Sequence, residues 1–331
     1  MQVLESPRCP LCRSREIHFK DSLSSEGLLK LWRESGFHLA PEDLAPVGET
    51  AHVKLWQCES CKFEFFDQGL TGTDRFYRRL SMSPAYYPNH RPEFARTLRW
   101  IRPLPIRMVL DVGCGDGAFL DEAKAAGLQA HGIELNKNAR EKATSKGHEV
   151  LDSLLQDLDG SLQYDLVTAF QVLEHIADPV QFLRLMARVV RPGGYLAVAV
   201  PNHGGLYRLA PLDPHTWPPH HVTRWTLSHL EQAGSRAGLK VVRKTADVLF
   251  GGMIEYFGRL NYRLSEALGR PVDRNRLRLL CLVALLYRKS GMRHWLQLRA
   301  GGSIFALFEK PVQSRLDSVD SSRSSRQSPK E

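Results

Sequence analysis

The stretch Met108-Val-Leu-Asp-Val-Gly-Cys-Gly-Asp-Gly-Ala-Phe-Leu120 decides the fold. Its apolar run (Val109, Leu110, Val112) reads as a buried parallel strand that breaks into Gly113, Gly115 and Gly117, and a helical spacing of Phe119, Leu120 and Ala123 follows. Strand, glycine turn and helix form the first half of a doubly wound nucleotide-binding sheet, with its ligand at the strand's carboxyl end. Charge then separates two nucleotide classes. A dinucleotide sets its pyrophosphate on the glycine turn and the positive helix N-terminus. Here Asp111 and Asp116 flank the turn and would repel it. S-adenosylmethionine (SAM) has no phosphate and presents an ammonium and a sulfonium, which carboxylates attract. Glu134 ends the next apolar run, where an acid can accept both ribose hydroxyls.

Beyond this stretch, further residues carry a family resemblance. Asp111–Gly117 resembles motif I of the class I SAM-dependent methyltransferases, and Tyr164–Pro179 and Arg191-Pro-Gly-Gly194 running into Val200-Pro-Asn202 are further matches to that family. The likeness covers about residues 85 to 250 and returns near 302–310. It implies an α/β fold with a doubly wound, seven-stranded Rossmann-like sheet. The chain divides into an N-terminal zinc-ribbon-like unit (1–75), a linker and lead-in helix (76–106) and a methyltransferase domain (107–310). That domain holds a basic helical insertion (255–300) before its last strand, and a disordered tail follows (311–331).

Composition bounds the rest. A chain of 331 residues with 43% apolar content supports a full core. No run of 18 uncharged apolar residues is present, so no spanning helix is expected. The start, Met-Gln-Val-Leu-Glu-Ser-Pro-Arg-Cys, lacks the basic and apolar regions of a signal peptide, and the expected location is cytoplasmic.

Cys9-x2-Cys12 and Cys58-x2-Cys61 each close a knuckle that aims two thiolates at one ion, so the expected metal is one structural zinc. Four thiolates leave no open position for catalysis. Cys114 and Cys281 read as packing residues. The 45 residues between the pairs exceed the usual ribbon spacing of about 15–20 and require an insertion, which the amphipathic pattern Leu28-Leu29-x-Leu31-Trp32 fits. Phe63, Phe65 and Phe66 read as the strand that packs the ribbon. The unit is similar to the zinc module preceding the same fold in bacterial sugar C-methyltransferases. A family of ribosomal-RNA guanine methyltransferases also begins with a zinc module, but its cysteine pairs lie closer together and its last ligand is typically histidine.

The motifs place the remaining elements. Strands are expected at 107–112, 128–134, 148–151, 164–170 and 194–200, and helices at 116–126, 136–146, 179–190 and 226–237. Pro192-Gly-Gly194 reads as a stop and turn. In the family a tyrosine near Tyr86 or Tyr87 caps the methionine end of the cofactor. Asp152 is the kind of residue that meets the adenine amino group, and Phe170 and Gln171 should line the pocket beneath the sulfonium. The expected SAM set is therefore Tyr87, Asp111, Gly113, Gly115, Glu134, Asp152, Phe170 and Gln171. Phe170-Gln-Val-Leu-Glu-His175 replaces the Asn/Asp-Pro-Pro-aromatic turn of enzymes that methylate exocyclic amines. Small-molecule, sugar-nucleotide and lipid-linked glycan acceptors stay open.

Methyl transfer needs alignment, plus a base where the nucleophile carries a proton. Histidine is the natural base, and the candidates are His175, His221 and His220. Sugar C-methyltransferases carry a histidine at the position of His175 and a Tyr-x-Glu-His set where this chain reads Pro218-Pro-His220-His221. The tyrosine and glutamate are replaced by Pro218 and His220, which argues against sugar C-methylation, while a histidine pair can still serve O-methylation. Glu174 reads as a helix-approach residue.

The net charge of +9 gathers near the C-terminus: residues 255–299 hold ten Arg/Lys against three Asp/Glu, a net of +7. Within them 277–287 is apolar except for Arg278, and at about 1.5 Å per residue the block is too short to span a bilayer. Three readings fit it: a helix packed on the domain or on a second copy, an interfacial helix touching anionic lipid through 277–289, or a surface for an anionic or nucleic-acid substrate. The enzymatic alternative to a small-molecule or glycan acceptor is RNA methylation. The non-enzymatic one is a binding module that keeps fold and zinc.

Overall fold

The computed structural model describes residues 7–83, 86–87, 90–158, 160–247, 260–270 and 302–312. The chain opens with the cysteine knuckle Cys9–Cys12 and then forms β1 (Ile17–Ser24). Helix α1 (Ser25–Glu34) follows, started by the Ser24 hydroxyl, which accepts from the Gly27 amide at 3.0 Å. It buries Leu28, Leu31 and Trp32 and supplies the insertion that the cysteine spacing demands. β2 (His52–Cys58) and β3 (Glu64–Phe66) lead into the second knuckle and out of it. Helices α2 (Asp74–Leu80) and α3 (Pro92–Ile101) connect to the second unit.

That unit runs β4 (Met108–Val112), α4 (Ala118–Ala125), β5 (Gln129–Ile133), α5 (Lys137–Ser145), β6 (Glu149–Leu151), β7 (Tyr164–Phe170), α6 (Pro179–Val189) and β8 (Val190–Pro201). It continues with β9 (Thr223–Arg224), α7 (Leu227–Arg236), β10 (Lys240–Ala246), a helical segment over 260–267, and β11 (Ser303–Glu309). The seven-stranded sheet has the order β10-β11-β8-β7-β4-β5-β6. Its pairings from β6 through β8 are parallel, while β11 lies antiparallel between β8 and β10. The order in which strands are added therefore reverses between β4 and β7, and their carboxyl ends open one crevice, the place where doubly wound sheets bind ligands. β4 is buried along Val109–Val112, as the apolar run requires of a central strand covered on both faces.

Two details depart from expectation. Pro192-Gly-Gly194 falls inside the long β8 rather than ending an element. There the Gly193 amide donates to Lys310 O and the Lys310 amide to Gly194 O, both at 2.9 Å, so the return of the chain near β11 holds the glycines in register. Second, β9 leaves the large sheet and pairs antiparallel with β3, giving a small sheet of order β1-β2-β3-β9. The N-terminal sheet thus borrows its last strand from the second unit. Phe63 completes the join: it is fully buried and packs edge-on against Trp225 (4.9 Å between centroids) and His229 (5.2 Å).

Among the described residues no helix is long and apolar enough to cross a membrane. The apolar block 277–287, Cys281, the contact proposed through 277–289 and the tail from 313 lie outside the described residues.

Candidate active site

A cavity of about 910 Å³ lies over the carboxyl ends of β4 and β7. Its floor is the glycine turn Gly113-Cys114-Gly115-Asp116. The walls carry Tyr86, Tyr87, Phe170, Gln171, Glu174, His175, His220 and His221, and the loop 35–39 after α1 closes one side.

The turn is built for close approach. Gly115 has φ +57°, and a Cβ there would stand 2.8 Å from the Tyr87 ring, so only glycine admits this tyrosine against the backbone. Asp111 is 3% exposed, accepts from the Thr168 hydroxyl at 2.6 Å, and is lifted by burial to about 7. Among the described residues no cation forms an ion pair with it, so the carboxyl stands ready for a positively charged ligand. Glu134 accepts from the Gly115 amide at 2.9 Å and the Asn136 amide at 2.7 Å, which fixes the carboxylate and leaves one lone pair on each oxygen. This donor set suits a nucleoside with a cationic tail.

Other expected residues are tied more firmly to the fold. Phe170 packs on Phe94 and Phe119 at 5.0 and 4.9 Å, serving core and cavity together. Gln171, at φ +58°, commits its side-chain amide to Glu93 (3.0 Å) and Ser303 (3.2 Å), a seam between α3 and β11. Asp152 pairs with Arg140 at 2.7 Å.

The structure brings the three candidate histidines together at one end of the cavity. Their ligand nitrogens lie within 4.8 Å of one another. Backbone carbonyls fix the tautomers, because a carbonyl can only accept. His175 Nδ1–H donates to His220 O at 2.5 Å, and His220 Nδ1–H donates to His215 O at 2.8 Å. Each Nε2 then keeps a lone pair; that of His220 accepts from the Tyr86 hydroxyl at 3.2 Å. Burial holds His175 down at about 4 and pushes His220 and His221 well below the usual range, so all three are neutral at pH 7. His220 and His221 stack at 4.4 Å and 20°. Both ring nitrogens of His220 are already hydrogen-bonded, to His215 O and to the Tyr86 hydroxyl, which suits an orienting role better than metal ligation.

Glu174 lies on the approach to α6, as expected, but is buried. It sits in a short 3-10 turn (Leu173–His175), its backbone carbonyl accepts from the Val222 amide at 2.9 Å, and its side chain is fully buried at the cavity wall. Burial raises its carboxyl to about 8. Its Oε1 lies 3.9 Å from Nε2 of both His175 and His221. Tyr77, also missed, brings its hydroxyl to 3.3 Å from His175 Nδ1.

At the opposite end of the small sheet the four knuckle cysteines converge, with Sγ separations of 3.6 Å (Cys9–Cys61) and 3.5 Å (Cys12–Cys58). A tetrahedral zinc with Zn–S near 2.3 Å sets its sulfurs about 3.8 Å apart, so the group fits a structural ion.

Comparison with known proteins agrees with this architecture. Residues 88–244 match the model of a methyltransferase domain family. The ubiquinone biosynthesis O-methyltransferase of Albidiferax ferrireducens is 31% identical over 142 residues, covering 39% of this chain and 56% of that protein. Its counterpart from Marinobacter nauticus is 26% identical over 193 residues, covering 52% and 75%. The chain thus spans little more than half of the first relative and, with the Thiobacillus denitrificans counterpart, 50%. A SAM-dependent methyltransferase from Archaeoglobus fulgidus is similar in structure at 19% identity and TM-score 0.46, covering 66% of this chain and 92% of that one. With motif I on β4, paired acids around its turn and a single antiparallel strand inserted beside β8, residues 88–244 form a methyltransferase domain similar to those of the class I SAM-dependent methyltransferases.

Proposed function

We propose that the protein transfers the SAM methyl group to a hydroxyl of a small-molecule, sugar-nucleotide or lipid-linked glycan acceptor. The observation that carries this reading is the cluster of neutral imidazoles in the same cavity as the acid-flanked glycine turn. Asp111 holds the cationic amino-acid end of SAM, Gly113 and Gly115 let the backbone approach it, Glu134 takes the ribose, and Tyr87 covers the turn. Asp152, Phe170 and Gln171 complete the pocket around the base and the sulfonium. SAM supplies an electrophilic methyl carbon, so the protein's own task is to align the acceptor, exclude water and remove one proton.

His175 and His221 are the proton-accepting residues. Both keep Nε2 toward Glu174, and for His175 the backbone anchor on Nδ1 fixes which nitrogen is free. His220 orients the pair through its stack on His221 and its bond to Tyr86. The zinc, held by Cys9, Cys12, Cys58 and Cys61, is structural: it stiffens the small sheet whose last strand begins two residues after His221. The O-methyltransferase names of the relatives support oxygen as the target.

The test is incubation with methyl-labelled SAM and fractionated cell extract, followed by identification of the labelled product. A labelled methyl ether is expected. Labelled nitrogen or carbon overturns the hydroxyl, and absence of SAM binding by calorimetry overturns the enzyme.

A further inference from the structure

We propose that Glu174 is the terminal proton store of the site: its carboxyl ionises when a cationic cofactor occupies the cavity, and it recovers a proton from the acceptor, through His175 or His221, as methyl transfer removes that positive charge. This rests on the reading of the cavity as a SAM and acceptor site. It adds a residue to which the sequence motifs give no chemical role.

Geometry carries the inference. Glu174 is fully buried, and neither carboxyl oxygen has a hydrogen-bond partner among the described residues. A buried polar group is ordinarily satisfied, and one left open in a cavity wall marks a ligand or a chemical role. Its Oε1 is equidistant, at 3.9 Å, from the two histidine nitrogens that face the acceptor side. That gap is about an ångström longer than a hydrogen bond, a length that side-chain rotation closes when a complex forms.

The neighbours explain why a relay is needed. The imidazoles are too deeply buried to keep a proton, since His175 is held at about 4, so a proton taken there must move on. Glu174 stands at about 8 through burial, with its own backbone amide and then Arg91 opposing the shift and Glu93 adding to it. Tyr77, Tyr86 and Tyr207 also feel the carboxyl, but burial raises all three, so they stay as neutral phenols. Glu174 is therefore a group at this end of the cavity whose charge can change near neutral pH. Pairs whose environments drive an acid up and a base down identify the proton-transfer partners of a site.

The charges balance. With SAM bound, a sulfonium and a carboxylate share the cavity. As the acceptor oxygen bonds to the methyl carbon, the carbon–sulfur electron pair returns to sulfur. The hydroxyl proton passes to an imidazole Nε2 and from there to Glu174. A thioether, an ether and a neutral carboxylic acid remain, with no net charge left in the low-dielectric space.

The experiment needs no acceptor. Calorimetric titration of the full-length protein in buffers of different ionisation enthalpy counts protons released on binding SAM and, separately, S-adenosylhomocysteine. Both carry the same ammonium and ribose, so release from Asp111 and Glu134 cancels in the difference. Near pH 7.5 SAM should release on the order of half a proton more per site than its demethylated product. The excess should vanish in Glu174→Gln, and equally in Glu174→Met, which needs no buried hydrogen bond. Equal release by the two ligands in the wild type, or an excess that persists in either variant, overturns the proposal while leaving the SAM site intact. Failure of SAM to bind at all overturns both.

Discussion

Asp111→Asn should stabilise the ligand-free protein at neutral and alkaline pH while weakening SAM binding. Asp111 is buried, bonded to Thr168, and raised by burial from 3.8 to about 7. A carboxyl raised in the folded state binds a proton there that the unfolded chain has released. Its penalty is absent below the unfolded value of 3.8, grows as pH rises, and is complete above about 7. At about 1.4 kcal/mol per pH unit, this window amounts to at most about 4 kcal/mol. Asparagine keeps an acceptor for Thr168 and cannot ionise. Urea unfolding of the ligand-free proteins should therefore give a variant more stable by about 2–4 kcal/mol at pH 8, with the gain shrinking toward zero at pH 4. Calorimetry should show SAM affinity reduced about 10- to 100-fold, the loss of one charge-assisted contact. A variant less stable than wild type at pH 8, or equally stabilised at pH 4 and pH 8, would refute the reasoning.

Gly115→Ala should abolish SAM binding with little loss of secondary structure by circular dichroism, because its Cβ would strike the Tyr87 ring in a left-handed backbone position. Metal analysis should find one zinc per chain in the wild type and none in a Cys58→Ser, Cys61→Ser double variant; zinc retained there would dismiss the four-thiolate site. His175→Ala should cut methyl transfer by about 10²- to 10⁴-fold while leaving SAM affinity within a few-fold, as measured by single-turnover kinetics and calorimetry. Phe63→Ala should destabilise the protein by about 3–5 kcal/mol, read from urea midpoints, because its ring fills the seam against Trp225 and His229.

Most of the large sheet was legible because its signals are local. β4, its glycine turn and α4 follow from one run of side chains, and β5 through β7 end within a residue or two of where their apolar patterns end. The cysteine spacing likewise demanded an insertion, and α1 fills it. The site was legible residue by residue but not as an assembly. His175, His220 and His221 could each be named, yet nothing in sequence says that backbone carbonyls fix the tautomers of His175 and His220 or that His220 stacks on His221. Glu174 lies on the approach to α6 as read, but its burial was not legible because helix-approach acids are normally solvated. Only the packing of the turn Leu173–His175 beneath Val222 and Thr223 buries it. A phenol and a carboxyl do stand beside the imidazoles, but from distant positions, Tyr86 and Glu174, which no spacing rule connects.

The pairing of β3 with β9 has a consequence for dissection of this protein. Residues 222–225 are strung between the two sheets: Phe66 donates to Val222 O, Thr223 and Arg224 pair with β3, and Trp225 packs on Phe63. The imidazole loop is therefore moored at its exit to a scaffold some 160 positions earlier in the chain. A truncated protein beginning at residue 86, just ahead of where the family match starts, would keep its nucleotide crevice with Tyr87 in place but release that mooring. Such a fragment should still bind SAM while losing turnover, so ligand binding alone would be a misleading sign of an intact enzyme.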